Sequence, residues 1–391
     1  MISPPDTRKA LVIGAGLSGS AVAHSLAVRG WSVTVLDQAS GVGAGASGLP
    51  VGLAAPHVSP DDNVLSRITR AGVQGTLQRA QTLLQSDTDW ALTGVLEHNL
   101  AGKRRLPSVL PSDTLDHHSA PASAAQIAAA GLPPGTPAIW HEQAGWIRPR
   151  QLVAAQLQTP GVQVRWGQQV QGIERRGDEW AATDAEGQTL GQAPWLVVAS
   201  AFDSLALLRP LPGLAVPLNP LRGQISFGRM ADLSDDQRTL LPPFPINGHG
   251  SFISGVPTPE GLPGWFIGST FERDCALAPV REEDHAANQV RLATLLPALG
   301  QAMAGPFGPF GPGRVQGWAG VRCTLPNRLP AVGPMDRQRL PGLSLSTGMG
   351  ARGISLAVLC GELTAAWLNL EPLPLPATLV KHLAAERFAS A

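Results

Sequence analysis

The chain has 391 residues, of which 44 are Gly, 36 are Pro and 43% are apolar. That excludes a peptide scaffold or a disordered chain and predicts two lobes, or one large α/β unit with an insertion. The 29 basic and 29 acidic residues cancel to a formal net charge of zero, so no global field draws in nucleic acid or an anionic membrane.

In chain order, Met1 to Lys9 lacks a signal-peptide pattern and no uninterrupted apolar run is long enough to span a bilayer, while three cysteines without disulfide or metal spacing fit a reducing cytoplasm, where the protein is expected. Ala10 to Ile13 reads as a strand, Gly14-Ala15-Gly16-Leu17-Ser18-Gly19 as a glycine turn, and Ser20 to Arg29 as a helix. Trp31 to Leu36 is a second strand ending at Asp37. Together they spell a dinucleotide-binding fingerprint. Gly14 permits the tight turn, Gly16 lets backbone approach a pyrophosphate, Gly19 lets helix and strand pack closely, and Asp37 accepts from ribose hydroxyls. The glycine and alanine loop from Gln38 to Gly48 could wrap a long extended cofactor or simply be a surface loop.

Asn63 to Leu84 reads as a helix, and Ala101 to Pro137 as an irregular stretch holding a short helix near Ala124 to Ala130. Pro149 opens another helix. Val162 to Trp166, Gly172 to Arg175 and Trp180 to Thr183 predict a strand meander, and Trp195 to Ala199 a buried strand. Arg222 to Gly228, Ser251 to Val256 and Trp265 to Ser269 predict an antiparallel sheet, followed by a helix over Ala286 to Leu299. Gly305 to Gly313 is a stiff Gly/Pro/Phe loop. A second strand, turn and helix close the pattern: Gly342 to Ser346, Thr347 to Gly353, and Ile354 to Leu368. The expected fold is α/β, or α+β taken whole: a Rossmann-like domain from residues 1–90, 145–210 and 316–391, and a substrate domain with a mixed or antiparallel sheet from 91–144 and 211–315.

Tyr is absent, which excludes a phenol as acid, base or carboxylate clamp, and Lys occurs only at Lys9, Lys103 and Lys381. Cys275, Cys323 and Cys360 have no zinc-ligand or CxxC spacing. Asp113, Asp116, His117 and His118 form a polar loop rather than a metal site, and no metal is assigned. His57 and His249 sit in loops and are weaker site candidates. Basic clusters at Lys103 to Arg105, at Arg148 with Arg150, and at Arg175-Arg176 read as solvated patches.

GAGLSG at Gly14 to Gly19, Asp37, GASG at Gly45 to Gly48, GWIRP at Gly145 to Pro149, RGQ at Arg222 to Gln224, and the closing segments GVRCTLPNRLPAVGP and TGMGARGI resemble one family. It is the D-amino-acid oxidase and sarcosine oxidase (DAO) family of FAD-dependent amine oxidoreductases. GASGLPVGL, GSTFERD at Gly268 to Asp274, Glu283-Asp284-His285 with Asn288, and LPLPATLVKHLAAERF are most similar to the FAD domain of bifunctional tRNA wobble-uridine modification enzymes. The sequence departs from the family pattern at Asn327, where Asp is usual, and in the Ile246 to Gly250 segment, which carries no Tyr.

The resemblance implies a non-covalent FAD, since Gly320 falls where a linking cysteine would be. FAD would be held by Gly14, Gly16, Leu17, Ser18, Gly19, Asp37, Gln38, Gly45, Ala46, Ser47, Gly48, Gly52, Val170, Ala199, Gly348, Gly350, Gly353 and Ile354. It implies oxidation of the CH–NH bond of an amine to an imine, which water hydrolyses, with oxygen or another acceptor restoring the flavin. Arg322 is the expected clamp for the substrate carboxylate, and Arg352, in the turn before the last long helix, the second basic group. The implied substrate is the carboxymethylaminomethyl group of a tRNA wobble uridine, with glyoxylate released. The alternatives are a small-molecule amine such as glycine or sarcosine, and a non-catalytic flavin-binding protein. An aromatic hydroxylase shares the fold, but its late Gly-Asp motif is replaced by Arg328 to Gly333.

Overall fold

The computed structural model describes residues 8–98, 119–308 and 314–389. They divide into two units: residues 1–48, 149–221 and 322–391, and residues 49–148 and 222–321. Lys103 to Arg105, Asp113, Asp116, His117 and His118 lie outside the described residues.

The first unit is built on a six-stranded sheet in the order Ala331–Pro334, Leu343–Thr347, Trp195–Val198, Lys9–Ile13, Ser32–Asp37, Val162–Trp166. All its pairings are parallel except that of the Ala331–Pro334 edge. The inner strands are near-continuous apolar runs because both faces are covered. On one face lie the helices Leu17–Ala27, Pro149–Leu157 and Gly353–Asn369, with Val22, Leu26, Val153 and Leu368 packed against Val12, Val33, Val35 and Val197. On the other lies an antiparallel meander of Gly172–Arg176, Glu179–Thr183 and Thr189–Ala193, whose Trp180 and Ala182 meet Leu11, Leu36 and Leu196.

The expected meander is thus corrected in one member. Val162–Trp166 is the parallel edge strand of the main sheet, and its half-exposed alternation comes from that edge position; Thr189–Ala193 completes the meander. The helix Gly350–Asn369 is long and apolar enough to cross a membrane by length and composition, although Arg352 and Glu362 interrupt its apolar run. It is mostly buried because it forms part of the helical layer on the sheet.

The second unit carries the larger sheet, in the order Glu272–Arg273, Asn219–Arg229, Pro263–Gly268, Gly250–Pro257, Ile246–Gly248, Val95–His98, Ala138–His141, Ser119–Pro121, with Gln316–Thr324 also pairing Asn219–Arg229. A small sheet joins Gly52–Ala54 and Trp90–Ala91 to Gly145–Ile147. Among the described residues its helices are Val64–Leu83, capped by Asn63, then Ala124–Ala129, Asp235–Thr239, Glu282–Leu295 and Pro297–Ala302. The expected helix through Leu299 is broken at Leu296, because Pro297 lacks the amide to continue it and starts a new helix instead.

The expected boundaries differ from these units in four places, among them residues 145–148 and 316–321, which belong with the second unit. Residues 49–90 belong with the second unit, where Gly52 pairs with Ile147. Residues 211–221 belong with the first, where Leu211, Leu214, Val216 and Leu218 join its core.

Candidate cofactor site and substrate arginines

The glycine turn lies at the carboxyl end of the first strand, where open α/β sheets bind nucleotides. Gly14 has φ +101, and a Cβ there would stand 2.6 Å from the Ala199 carbonyl oxygen. A Cβ on Gly19 would lie 1.8 Å from the Gly14 carbonyl oxygen, so only Gly lets helix and turn close this far. Leu17 N–H at the helix start donates to Ser47 Oγ at 2.9 Å, and the first turn of that helix carries no acid. Ser47 sits in the short turn Ala46–Gly48, which Gly48 N–H to Gly45 C=O closes at 2.9 Å. The loop from Gln38 to Gly48 thus returns to the helix N-terminus.

Asp37 ends the second strand and accepts from Ala15 N–H at 2.6 Å and Ala39 N–H at 2.8 Å. Each oxygen takes one backbone donor and keeps a lone pair for a ribose hydroxyl. Gln38 reaches Asp203 at 3.3 Å. Val170 packs at the edge of the meander core, following Gln168, whose N–H donates to Asp37 C=O at 2.9 Å. The Ser18 hydroxyl is buried and donates to Ser346 C=O at 2.7 Å, so its side chain ties the first helix to the last parallel strand. Gly52 belongs to the second unit.

The second strand-turn-helix segment supports the first. A Cβ on Gly353 would touch Leu17 Cδ1 at 3.4 Å, and one on Gly361 would lie 2.6 Å from Ala21 backbone, so the two long helices pack closely through small residues. Gly348 and Gly350 have φ of +78 and +55 and form the turn, with buried Ile354 opening the helix beyond Arg352. Leu325 and Thr324 pack against that turn, and Thr347 Oγ1 donates to Cys323 Sγ at 3.6 Å. The segment carrying Arg322 is therefore brought alongside the one carrying Arg352. Burial of the Arg322 guanidinium pushes its pKa down to about 10. Cys323 is buried and its thiol is pushed up to about 11 by the same cause, consistent with a packing residue.

The cradle fits FAD on these observations: glycines where a Cβ would collide, a helix N-terminus whose first turn carries no acidic residue, and a carboxylate at the end of the second strand. Among the described residues no three His, Cys, Asp or Glu gather closely enough to hold a metal. The expected solvated basic patches are ion-paired at Arg148 with Asp89, Arg175 with Asp178, and Arg176 with Glu174.

Sequence reasoning recognised the RGQ, FERD and EDH motifs but gave them no role. In the second unit they form one network. Arg222, fully buried, meets Asp284 at 2.7 Å and Glu272 at 3.3 Å, and donates to the Pro279 carbonyl. Gln224 accepts from Arg281 N–H at 2.8 Å and donates to its C=O at 2.9 Å, while Asn288 donates to Gln224 C=O and Ser226 Oγ. His285 Nδ1 lies 2.7 Å from Ser226 Oγ, and burial lowers its pKa. The Arg and Gln of the first motif, each buried amid acceptors and donors of the other two, were the signal that could have revealed it.

The chain matches the FAD dependent oxidoreductase family, DAO, over residues 9–367. It is 46% identical over 374 residues to the tRNA 5-methylaminomethyl-2-thiouridine biosynthesis bifunctional protein MnmC of Polaromonas naphthalenivorans, covering 94% of this chain and 57% of that protein. With the MnmC protein of Delftia acidovorans it shares 48% identity over 401 residues, 97% of this chain and 61% of that one. It thus spans about three fifths of these relatives' length. Its fold is similar to that of L-proline dehydrogenase from P. horikoshii (TM-score 0.72, 17% identity, 98% of each chain) and of glycine oxidase from Geobacillus kaustophilus (TM-score 0.70, 19% identity, 95% of this chain and 98% of that one). A glycine-lined nucleotide cradle and a family match over nearly the whole chain agree: this protein belongs to the DAO family of FAD-dependent oxidoreductases.

Proposed function

We propose that this protein oxidises the CH–NH bond of a secondary amine bearing a carboxymethyl group, namely the carboxymethylaminomethyl side chain of a tRNA wobble uridine. The observation that carries this reading is the 46–48% identity to tRNA-modifying MnmC proteins over 94–97% of the chain. Bound FAD supplies the hydride acceptor. Oxidation of the side chain removes a hydride from the carboxymethyl carbon and a proton from the nitrogen, two electrons and two protons in all, and addition of water to the resulting imine releases glyoxylate and leaves the shorter amine on the uridine. Oxygen or another acceptor takes the electrons afterwards. The reading places the protein with tRNA, in the cytoplasm.

The chain's own part is to bind and orient. Gly14, Gly16, Gly19 and Asp37 hold the nucleotide end of the cofactor, and the helix beginning at Gly353 directs its positive dipole end toward its own N-terminal turn. Arg322 holds the substrate carboxylate, and Arg352 adds positive charge beside the site. A chain without Tyr has no phenol for this task, and a guanidinium grips both oxygens.

The test is anaerobic mixing of the yellow FAD-loaded protein with tRNA bearing the carboxymethylaminomethyl group, and separately with glycine, sarcosine and iminodiacetate. Bleaching of the flavin by the tRNA with release of glyoxylate is expected. Bleaching by free amino acids alone overturns the tRNA substrate in favour of a small-amine oxidase, and bleaching by neither overturns the amine chemistry.

A further inference from the structure

Beyond the buried network of the second unit, its surface carries a distinct combination of groups. The segment from Ser269 to Arg281 has almost no regular structure, yet it is pinned from beneath: Arg222 holds Pro279 C=O, Gln224 grips the backbone of Arg281 at both its N–H and its C=O, and Thr270 exchanges hydrogen bonds with Gln224. A segment so held presents its side chains in fixed positions. It presents Phe271 54% exposed and Leu277 75% exposed. Large apolar side chains left in water on a hydrogen-bonded platform form a contact surface.

The strand ending at Gly268 delivers this segment beside the hairpin that carries His249. Ser251 pairs with Gly268, and a Cβ on Gly250 would stand 2.9 Å from Gly268 C=O and 3.7 Å from Arg291 Cδ. Arg291, on the helix Glu282–Leu295, places its guanidinium 3.3 Å from His249 Nε2. Arg291 Nε is buried without an acceptor among the described residues, so the Nη end beside His249 is the part that meets solvent; desolvation lowers the pKa of this guanidinium, and Asp284 acts on it through space alone. A half-buried guanidinium whose Nη end lies at the surface, with no carboxylate in contact among the described residues, is complementary to a phosphate oxygen.

The geometry points to this edge of the second unit as an RNA-recognition surface, where Phe271 stacks on an unpaired nucleobase and Arg291 with His249 takes a backbone phosphate of the same strand. Aromatic faces for bases beside arginine donors for phosphates are how single-stranded RNA is gripped. A few local contacts of this kind also need no positive field over the whole molecule, which suits a chain of zero net charge. The inference rests on the tRNA reading of the proposed function and names the residues that would recognise the loop around the wobble base.

The test measures binding apart from chemistry. A fluorescein-labelled anticodon stem-loop is titrated with the FAD-loaded protein and its anisotropy followed at several salt concentrations. Phe271→Ala should weaken binding by about fivefold or more, the effect of losing one stacked base. Arg291→Gln should weaken it and make the salt dependence shallower by about 0.7 in log–log slope, one phosphate contact on a single strand. Leu262→Ala, exposed elsewhere on the same unit, should bind as the parent does, and flavin absorbance and melting temperature check that each variant is folded. Equal binding of the stem-loop by parent, Phe271→Ala and Arg291→Gln overturns the surface, even where modified tRNA bleaches the flavin. Binding that depends on both residues while no modified RNA bleaches the flavin upholds the surface and overturns the proposed reaction instead.

Discussion

The two units use their distinctive residues in opposite ways. In the first, the motif residues are mostly glycines, and their value lies in what they lack: Gly14 and Gly19 leave room where a Cβ would strike backbone. In the second, the motif residues are long and polar, and Arg222, Gln224, Asp284 and Asn288 are largely occupied by one another and by the backbone of one segment. The first unit makes space for a cofactor. The second holds a surface segment in place. Equally recognisable sequence therefore encodes absence in one region and connection in the other.

The comparison can be broken by substitution, beginning with the largest effect. Arg222→Met leaves Asp284 and Glu272 without their buried partner and should cost about 3–5 kcal/mol, read as a lower midpoint of urea unfolding. An unchanged midpoint would remove the network from the account of that unit's stability. Gly19→Ala drives a methyl group into the Gly14 carbonyl and should cost about 3 kcal/mol while abolishing FAD retention on gel filtration. Retained flavin would show that the turn can open.

Asp37→Asn removes a charged acceptor for two amides and should cost about 1.5–3 kcal/mol of FAD binding, measured by flavin fluorescence on titration. Arg322→Ala sharpens the contrast further, for it should slow anaerobic flavin reduction while leaving FAD content unchanged. The lowered pKa of Arg322 also sets a pH window. Because only the charged form grips a carboxylate, substrate affinity should fall as pH rises through about 10. The fold should gain stability between that pH and the ordinary arginine value, because the unfolded chain holds the proton longer. Flavin reduction across that range checks the first sign, and urea unfolding the second. The smallest effect concerns the thiols. Burial pushes those of Cys323 and Cys360 upward, so native protein should react with iodoacetamide at Cys275 and spare the other two, as peptide mapping would show.

Much of the first unit was legible because local chemistry determines it. A strand, three spaced glycines, a helix and a carboxylate at the end of the next strand allow few structures, and the loop through Ser47 was marked by its small residues. Val162–Trp166 misled because an edge strand of a parallel sheet alternates in burial like a strand of a half-exposed meander, and which partner it takes is decided by residues far away. Residues 49–90 and 145–148 were expected with the first unit; Gly52–Ala54 does pair with Gly145–Ile147, but the small sheet they form belongs to the second unit, a placement that no local pattern records. The polar network of the second unit was visible as motifs but not as a structure, since Arg222, Glu272 and Asp284 reveal their purpose only when the fold assembles them.

Ser18 and Ser346 share a hydrogen bond across 328 positions of sequence, and Gly361 lies against Ala21 in the same layer. During synthesis, the first glycine turn leaves the ribosome long before the strand and helix that complete its surroundings. Contacts of such long range form slowly and late. Until the closing segment emerges, the first helix therefore lacks the neighbour that packs against Ala21.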